Sequence, residues 1–297
     1  DAPSFFTGIN MINSTLPRNL SFVQTKFVVF SEELAREGLI GEFLAPLIRF
    51  RQIRRTLHLL VTTDTAMKFI QENKPFIGGA LAKSLETIME EASSGRYVIH
   101  STLNEFYNDL KSTTSQPIAH LTAINDFRNF KMTGEKWGDE FKTGGGYLAG
   151  ELPRYGGPKN DFFGSALFDG DKMVGLLNGD ETRFLRMVRG DFKRGFFTIP
   201  DPRKTELIVP LDLRQMRKPE VKIRIIGEKP VIDLKIRLEG DILAIQSRID
   251  YENPELKPVL EETFAEYVNA ELGKLFEKCK SLNADVFGFG KEAIKGF

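Results

Sequence analysis

Apolar and polar residues alternate one for one through much of the last third of the chain. Leu207, Val209, Leu211 and Leu213 alternate with other residues, and Val221, Ile223 and Ile225 alternate with Lys222 and Arg224. Ile232, Leu234, Ile236 and Leu238 do the same with Asp233, Lys235, Arg237 and Glu239. Period two marks strands with one buried and one wet face. Gly227, Pro230, Gly240 and Asp241 supply the turns. The stretch predicts an antiparallel meander that continues through Leu243 and Ile245. The period then changes. Leu256, Leu260, Phe264, Val268, Leu272, Leu275, Cys279 and Leu282 step by three or four, which is a helical stripe. A stripe of that length must be covered, and the apolar face of the meander is the obvious partner.

The first 115 residues mix element types. Phe27, Val28, Val29 and Phe30 form a short apolar run, followed by Ser31 as an N-cap with acids in the first turn. Leu34, Leu39, Phe43, Leu44 and Leu47 recur at helical spacing, with Gly38 and Gly41 expected to break the run. Residues 56–61 read as a second strand, and 65–72, 78–91 and 102–110 as helices. Residues 133–160 are rich in glycine and polar side chains and read as a loop or hairpin region. The expected architecture is a multi-domain α+β fold. A mixed α/β portion covers 1–115, a connecting hairpin or loop region 116–160, and a C-terminal α+β domain 161–297.

Composition narrows the function. Lys plus Arg and Asp plus Glu each number 41, so the net charge is zero, and a dedicated nucleic-acid binder is a poor fit. No apolar run reaches the roughly 18 residues of a membrane span. The chain opens at Asp1 with neither an initiating Met nor a signal peptide, so it reads as a processed or trimmed piece. Its single cysteine, Cys279, excludes an internal disulfide.

A search for chemistry comes back empty. Cys279 sits on the helical stripe and reads as a buried structural thiol. His58, His100 and His120 lack the spacing of a metal site, so neither a metal nor a cofactor is expected. Gly144, Gly145 and Gly146 lack the phosphate-loop pattern and read as a flexible hairpin tip. Arg49, Arg51, Arg54 and Arg55 form a basic cluster after a helix. Such a cluster is by default a solvated face, and otherwise a surface for an anionic partner or lipid headgroup. The loop over 144–157 is the other candidate surface.

Three segments together resemble one family, the C subunits of spore germinant receptors, known as the Ger(x)C lipoproteins. At the C-terminus a long helix runs into Ala284, Asp285, Val286, Phe287, Gly288, Phe289 and Gly290, similar to the family's closing Asp, two hydrophobics, Gly-Phe-Gly. Upstream, the run from Gly164 through Phe168, Asp171, Lys172 and Gly175 to Glu181, Thr182 and Arg183 resembles a second family pattern. The third match runs from Val28 through Glu33 and Gly38 to Arg49 and Arg54. The family usually has Asp after the first of those arginines. Here it is Phe50, so Phe50→Asp is expected to leave folding intact.

The resemblance implies a three-domain α+β protein without a known catalytic site. It implies a lipid anchor on the outer face of the spore inner membrane. Two membrane-embedded receptor subunits are the implied partners. The family's signal sequence, lipid-bearing cysteine and opening strands are not in this sequence. The motif residues read structurally: Gly164, Gly175, Gly288 and Gly290 as turn or close-approach positions, and Phe168, Phe287 and Phe289 as core anchors. The expected function is a non-enzymatic receptor subunit acting through protein contacts. The alternatives are a module that binds a small-molecule germinant and a hydrolase acting on the spore wall. The last would need paired carboxylates in a cleft or a nucleophile beside a base.

Overall fold

The computed structural model describes residues 2–74, 81–90, 97–131, 143–227 and 229–296. Helix α1 (Phe5–Asn13) leads in, with Ser4 as its N-cap. Strand β1 (Phe27–Ser31) follows and runs into α2 (Glu32–Glu37). Ser31 caps α2 as expected, its hydroxyl accepting from the Leu34 N–H. Gly38 ends α2 in the left-handed conformation, at φ 82°. Gly41 breaks nothing. It lies inside α3 (Ile40–Arg49), where a Cβ would stand 2.8 Å from the Asp171 carboxylate.

Strand β2 (His58–Thr62), α4 (Ala66–Glu72), α5 (Leu81–Glu90), α6 (Leu103–Leu110) and β3 (Ile118–Ile124) come next. The helix expected over 78–91 is present over the span of α5, and residues 78–80 and 91 lie outside the described residues. Strands β1, β2 and β3 are parallel neighbours. Strands β4 (Asn160–Asp169) and β5 (Lys172–Leu177) extend the sheet antiparallel, in the order β1-β2-β3-β4-β5. Residues 118–124 are therefore a central strand rather than part of a connecting loop. All seven are buried, so no polar alternation announces them. The sheet also takes strands from both sides of the glycine-rich stretch. Of that stretch, residues 133–142 lie outside the described residues.

Helix α7 (Gly179–Arg189) and β6 (Arg194–Pro200) follow β5. Strand β7 (Ile208–Gln215) sits between β6 and β10 (Leu238–Ile242) in a second, antiparallel sheet. Among the described residues, strands β8 (Glu220–Ile226) and β9 (Lys229–Lys235) pair only with each other. The expected continuous meander is therefore corrected to a three-stranded sheet with a hairpin inserted between β7 and β10. Alternation reports which face is wet, not which strand is the neighbour. One face of the hairpin carries the cross-strand pairs Val221 with Leu234 and Ile223 with Ile232. On β10, Gly240 leaves room for Leu213, which a Cβ would approach to 2.6 Å.

Helix α8 (Lys257–Ser281) covers this sheet as its stripe predicts: Leu260, Val268, Leu272, Leu275 and Cys279 share one core with Val209, Leu211 and Leu213. Helix α9 (Phe289–Gly296) closes the fold. The mixed α+β class, with a C-terminal antiparallel sheet under a long helix, is as expected.

Phe50 departs from expectation. Its ring meets Phe6 at 5.1 Å and Phe22 at 6.0 Å, and Phe5 lies 5.9 Å from Phe22. The Phe22 N–H donates to Gln52 Oε1 at 3.0 Å, pinning the N-terminal segment to this turn. Aspartate at position 50 would set a carboxylate among these rings. Phe50→Asp is therefore expected to destabilise the protein by about 2 kcal/mol, seen as a lower urea midpoint. An unchanged midpoint would refute this.

Candidate functional site

The C-terminal motif is a clasp between the C-terminal helix and the chain between α6 and β3. Asp285 precedes α9, and its carboxylate accepts from the N–H groups of Gly288 at 3.1 Å, Phe289 at 3.2 Å and Gly290 at 2.8 Å. These donors have no partner within the helix, and an anion there is favoured by the helix dipole. Phe287 and Phe289 stack at 5.1 Å, and both meet Phe276 of α8. Gly290 lies so close to the chain after α6 that a Cβ would stand 2.5 Å from the Thr114 carbonyl oxygen. The Gln116 N–H donates to the Asp285 carbonyl, and Lys291 pairs with Asp109 at 2.6 Å. A cleft of about 520 Å³ opens beside the clasp, with Val188, Arg189, Lys218 and Phe287 in its wall.

The second motif builds the centre of the fold. Gly164 and Gly175 lie inside β4 and β5 rather than in turns. Gly164 has φ 90°, and a Cβ there would stand 2.4 Å from the Leu177 carbonyl oxygen. Gly175 is in close approach to Leu282. Phe168 is fully buried. Glu181 completes a capping box with Asn178 and also receives Lys278 of α8 on both carboxylate oxygens, at 2.8 and 2.7 Å. Arg183 is buried. It donates to the Phe196 carbonyl at 2.6 Å and lies 3.6 Å over the Phe197 ring and 4.7 Å over Tyr97. Asp180 sits beside it, its carboxyl pushed above the usual range by burial.

The glycine stretch 144–146 is not a free hairpin tip. Gly145 is buried against Asp180, the Thr143 hydroxyl donates to the Asp180 carboxylate, and the Asp180 N–H donates to the Gly145 carbonyl. A Cβ at Gly145 would overlap that carboxylate at 2.0 Å. Farther along the loop, Tyr155 is exposed.

The three histidines, distant in sequence, meet. The His58 ring centroid lies 5.6 Å from that of His100 and 5.7 Å from that of His120. Strand pairing brings them together: Leu60 of β2 pairs with His120 of β3, and Thr102 bridges to His58. His120 is fully buried and accepts from the Ser101 N–H at 3.2 Å. Among the described residues no group of His, Cys, Asp or Glu is arranged to hold a metal ion. Burial pushes the Cys279 thiol up to about 12, which keeps it protonated and unreactive at neutral pH.

Arg49, Arg51, Arg54 and Arg55 are all exposed, and among the described residues no guanidinium of the four makes a hydrogen bond or ion pair. On the opposite portion of the fold, a groove of about 1080 Å³ runs between α8 and strands β7, β9 and β10. Leu211, Leu234, Leu260, Phe264 and Leu272 line it, with Ala265 and Gly273 on its helical wall.

Two family models match the chain. The spore germination protein N-terminal domain matches residues 1–124, and the spore germination B3/GerAC-like C-terminal model matches residues 163–296. The chain belongs to the GerAC family of spore germination proteins. This bears out the resemblance to germinant receptor C subunits. No curated protein matches the sequence. The crystal structure of the GerBC protein matches with a TM-score of 0.53 at 16% identity, over 90% of this chain and 67% of that one. At that identity the likeness speaks to the fold, and it agrees with the α+β architecture. Among the described residues, no helix of this GerAC-family chain is long and apolar enough to cross a membrane.

The motif residues thus do not converge on one pocket. Asp285, Phe287, Gly288, Phe289 and Gly290 form the clasp, while Gly164, Phe168, Gly175 and Glu181 organise β4, β5 and α7. Sequence reasoning missed the histidine cluster and the burial of Arg183, which it had only as a motif residue, because no local spacing records contacts made between distant segments.

The histidine cluster makes stability depend on pH. Burial, with help from His100, pushes His58 down to about 4, and burial holds His120 well below its usual value. The unfolded chain therefore binds protons that the folded chain refuses, and stability is lost as pH falls from about 6.5 toward 4. His100 has the opposite sign. Its hydrogen bond to Glu105 raises it, so its contribution is full at low pH and fades as pH rises through the raised value. With two rings against one, the melting temperature is expected to drop between pH 6.5 and 4, and less steeply in His58→Phe. A flat profile would overturn this. Separately, Asp285→Ala is expected to cost about 1 kcal/mol and to speed amide exchange in α9 first. Equal protection of α9 in both proteins would rule out the capping role.

Proposed function

We propose that this chain is a non-enzymatic subunit of a spore germinant receptor, required for nutrient-triggered germination, and that it acts through protein–protein contacts. Its partners in this reading are two membrane-embedded receptor subunits. It sits at the outer face of the spore inner membrane, held there by a lipid carried on the whole protein. Membership of the GerAC family supports the receptor role. The observation that carries the contact mechanism is the open groove along α8. It is long, walled by apolar side chains from a helix and two sheets, and wide enough for an apolar segment of another subunit.

Spores lacking the gene are expected to lose dipicolinate release in response to particular nutrients, and the restored gene to rescue it. A normal response to every nutrient would overturn the requirement. The groove is tested by Ala265→Arg and Gly273→Arg. Ala265 is exposed, and a Cβ at Gly273 meets nothing within 4 Å, so both variants are expected to fold. They should nonetheless fail to rescue and fail to co-purify the partner subunits. Full rescue would show that the groove is not the contact.

The cleft beside the clasp favours a second reading, a germinant-binding module. It is concave, and Arg189 and Lys218 converge on apolar Val188 and Phe287. A nutrient that raises the melting temperature of the purified protein, but not of Lys218→Glu, would support it.

A further inference from the structure

The N-terminal face joins two features that are separate in sequence. Residues 2–17 contain no charged side chain, and α1 within them is rich in Phe, Ile and Met, yet none of its residues is buried. Met11 is 53% exposed and Ile12 49%, and Phe6, Leu16, Leu20 and Val23 are exposed beside them. Nine residues of isolated helix are not stable in water, and exposed apolar side chains gathered on one short segment mark an interaction site. Directly against it lies the arginine turn. Phe6 and Phe22 pack on Phe50, and Phe22 is hydrogen-bonded to Gln52, in the midst of Arg49, Arg51, Arg54 and Arg55.

The charge pattern is one-sided. Residues 43–63 hold the four arginines and no Asp or Glu, and residues 2–25 add Arg18 with no acid, in a chain whose net charge is zero; Lys26 is paired with Glu86 at 2.7 Å. The four arginines are exposed and have no ion-pair partner among the described residues. A protein partner would need an apolar patch bordered by acids of matching shape. A bilayer rich in anionic lipid presents both halves of the complement at once. Its acyl boundary accepts Phe, Ile, Leu and Met side chains, and its headgroup phosphates accept guanidinium forks.

We propose that this face, α1 with the 49–55 turn, lies on the surface of an anionic lipid bilayer, with the side chains of Met11 and Ile12 entering the acyl boundary and the arginines on the phosphates. This deepens the membrane placement proposed above and rests on it. It adds that the protein body itself contacts lipid and which side faces it.

The test is vesicle co-sedimentation of the purified chain, with phosphatidylcholine vesicles and with vesicles containing phosphatidylglycerol. Binding to the anionic vesicles only, released by raising the salt, is expected. Each arginine near an anionic surface is worth about fivefold in partitioning, so Arg54→Gln/Arg55→Gln should bind about 25-fold more weakly. Met11→Ser/Ile12→Ser should lose binding while keeping its melting temperature, since neither side chain is buried. Equal binding to both vesicle types, or arginine variants that bind like the wild type, would overturn the proposal. So would a dimer that Met11→Ser/Ile12→Ser dissociates in the absence of any vesicle binding, which would assign the face to a second copy. These failures would leave the germination phenotype of the gene deletion untouched, so the receptor role is judged separately.

Discussion

Helix α7 is the member on which the rest of the molecule hangs. Nine of its eleven residues are buried. Phe184, Leu185, Met187 and Val188 lie in one core with Leu167 and Leu177 of the first sheet, Val209 and Leu211 of the second, and Leu272 and Leu275 of α8. A helix enclosed on every side must satisfy the polar groups it carries. Arg183 partners the Phe196 carbonyl and two aromatic faces, although its buried Nε makes no hydrogen bond among the described residues, and Arg186 donates to the Asp191 carbonyl. Leaving either guanidinium without such partners would be among the most destabilising changes the fold could suffer. Glu181 ties the start of α7 to Lys278 on α8, so both sheets and the long helix share one anchor.

The family motifs follow from that arrangement. Their residues stand where backbone approaches backbone, as at Gly164 and Gly290, or where a carboxylate closes a helix end, as at Glu181 and Asp285. They make joints. The second motif joins the first sheet to α7 and α8, and the C-terminal motif fastens α9 to the chain between α6 and β3. A closely packed body of this kind is poorly compressible and passes displacement from one surface to another. In the proposed reading, that property would let a receptor subunit relay contacts made at one surface to another. On that reading its free surfaces, the groove along α8 and the N-terminal face, are the places proposed for partner and membrane contact.

How far each feature could be read from the sequence depended on whether its cause was local. Ser31 before Glu32 and Glu33 signals a helix start by chemistry within one turn, and the structure has it there. The stripe from Leu260 to Cys279 repeats often enough to announce α8 and its buried face. Strand β3 offers no such signal, since a strand covered on both sides loses its polar alternation. Phe50 was misleading for another reason. Its partners Phe6 and Phe22 arrive from far along the chain, so nothing near position 50 in the sequence announces the ring cluster it joins.

By itself the sequence determined the α+β class, the long covered helix, the family and the caps, because periodicity and capping are written within a few residues. The tertiary structure alone decided that β10, not β8, joins β7, that three distant histidines meet, and that Gly145 is packed under Asp180. It also decided that an uncharged helix and an acid-free arginine turn form one face. Each of these depends on which surfaces compete for burial once the chain is compact, and that competition is settled between segments many residues apart.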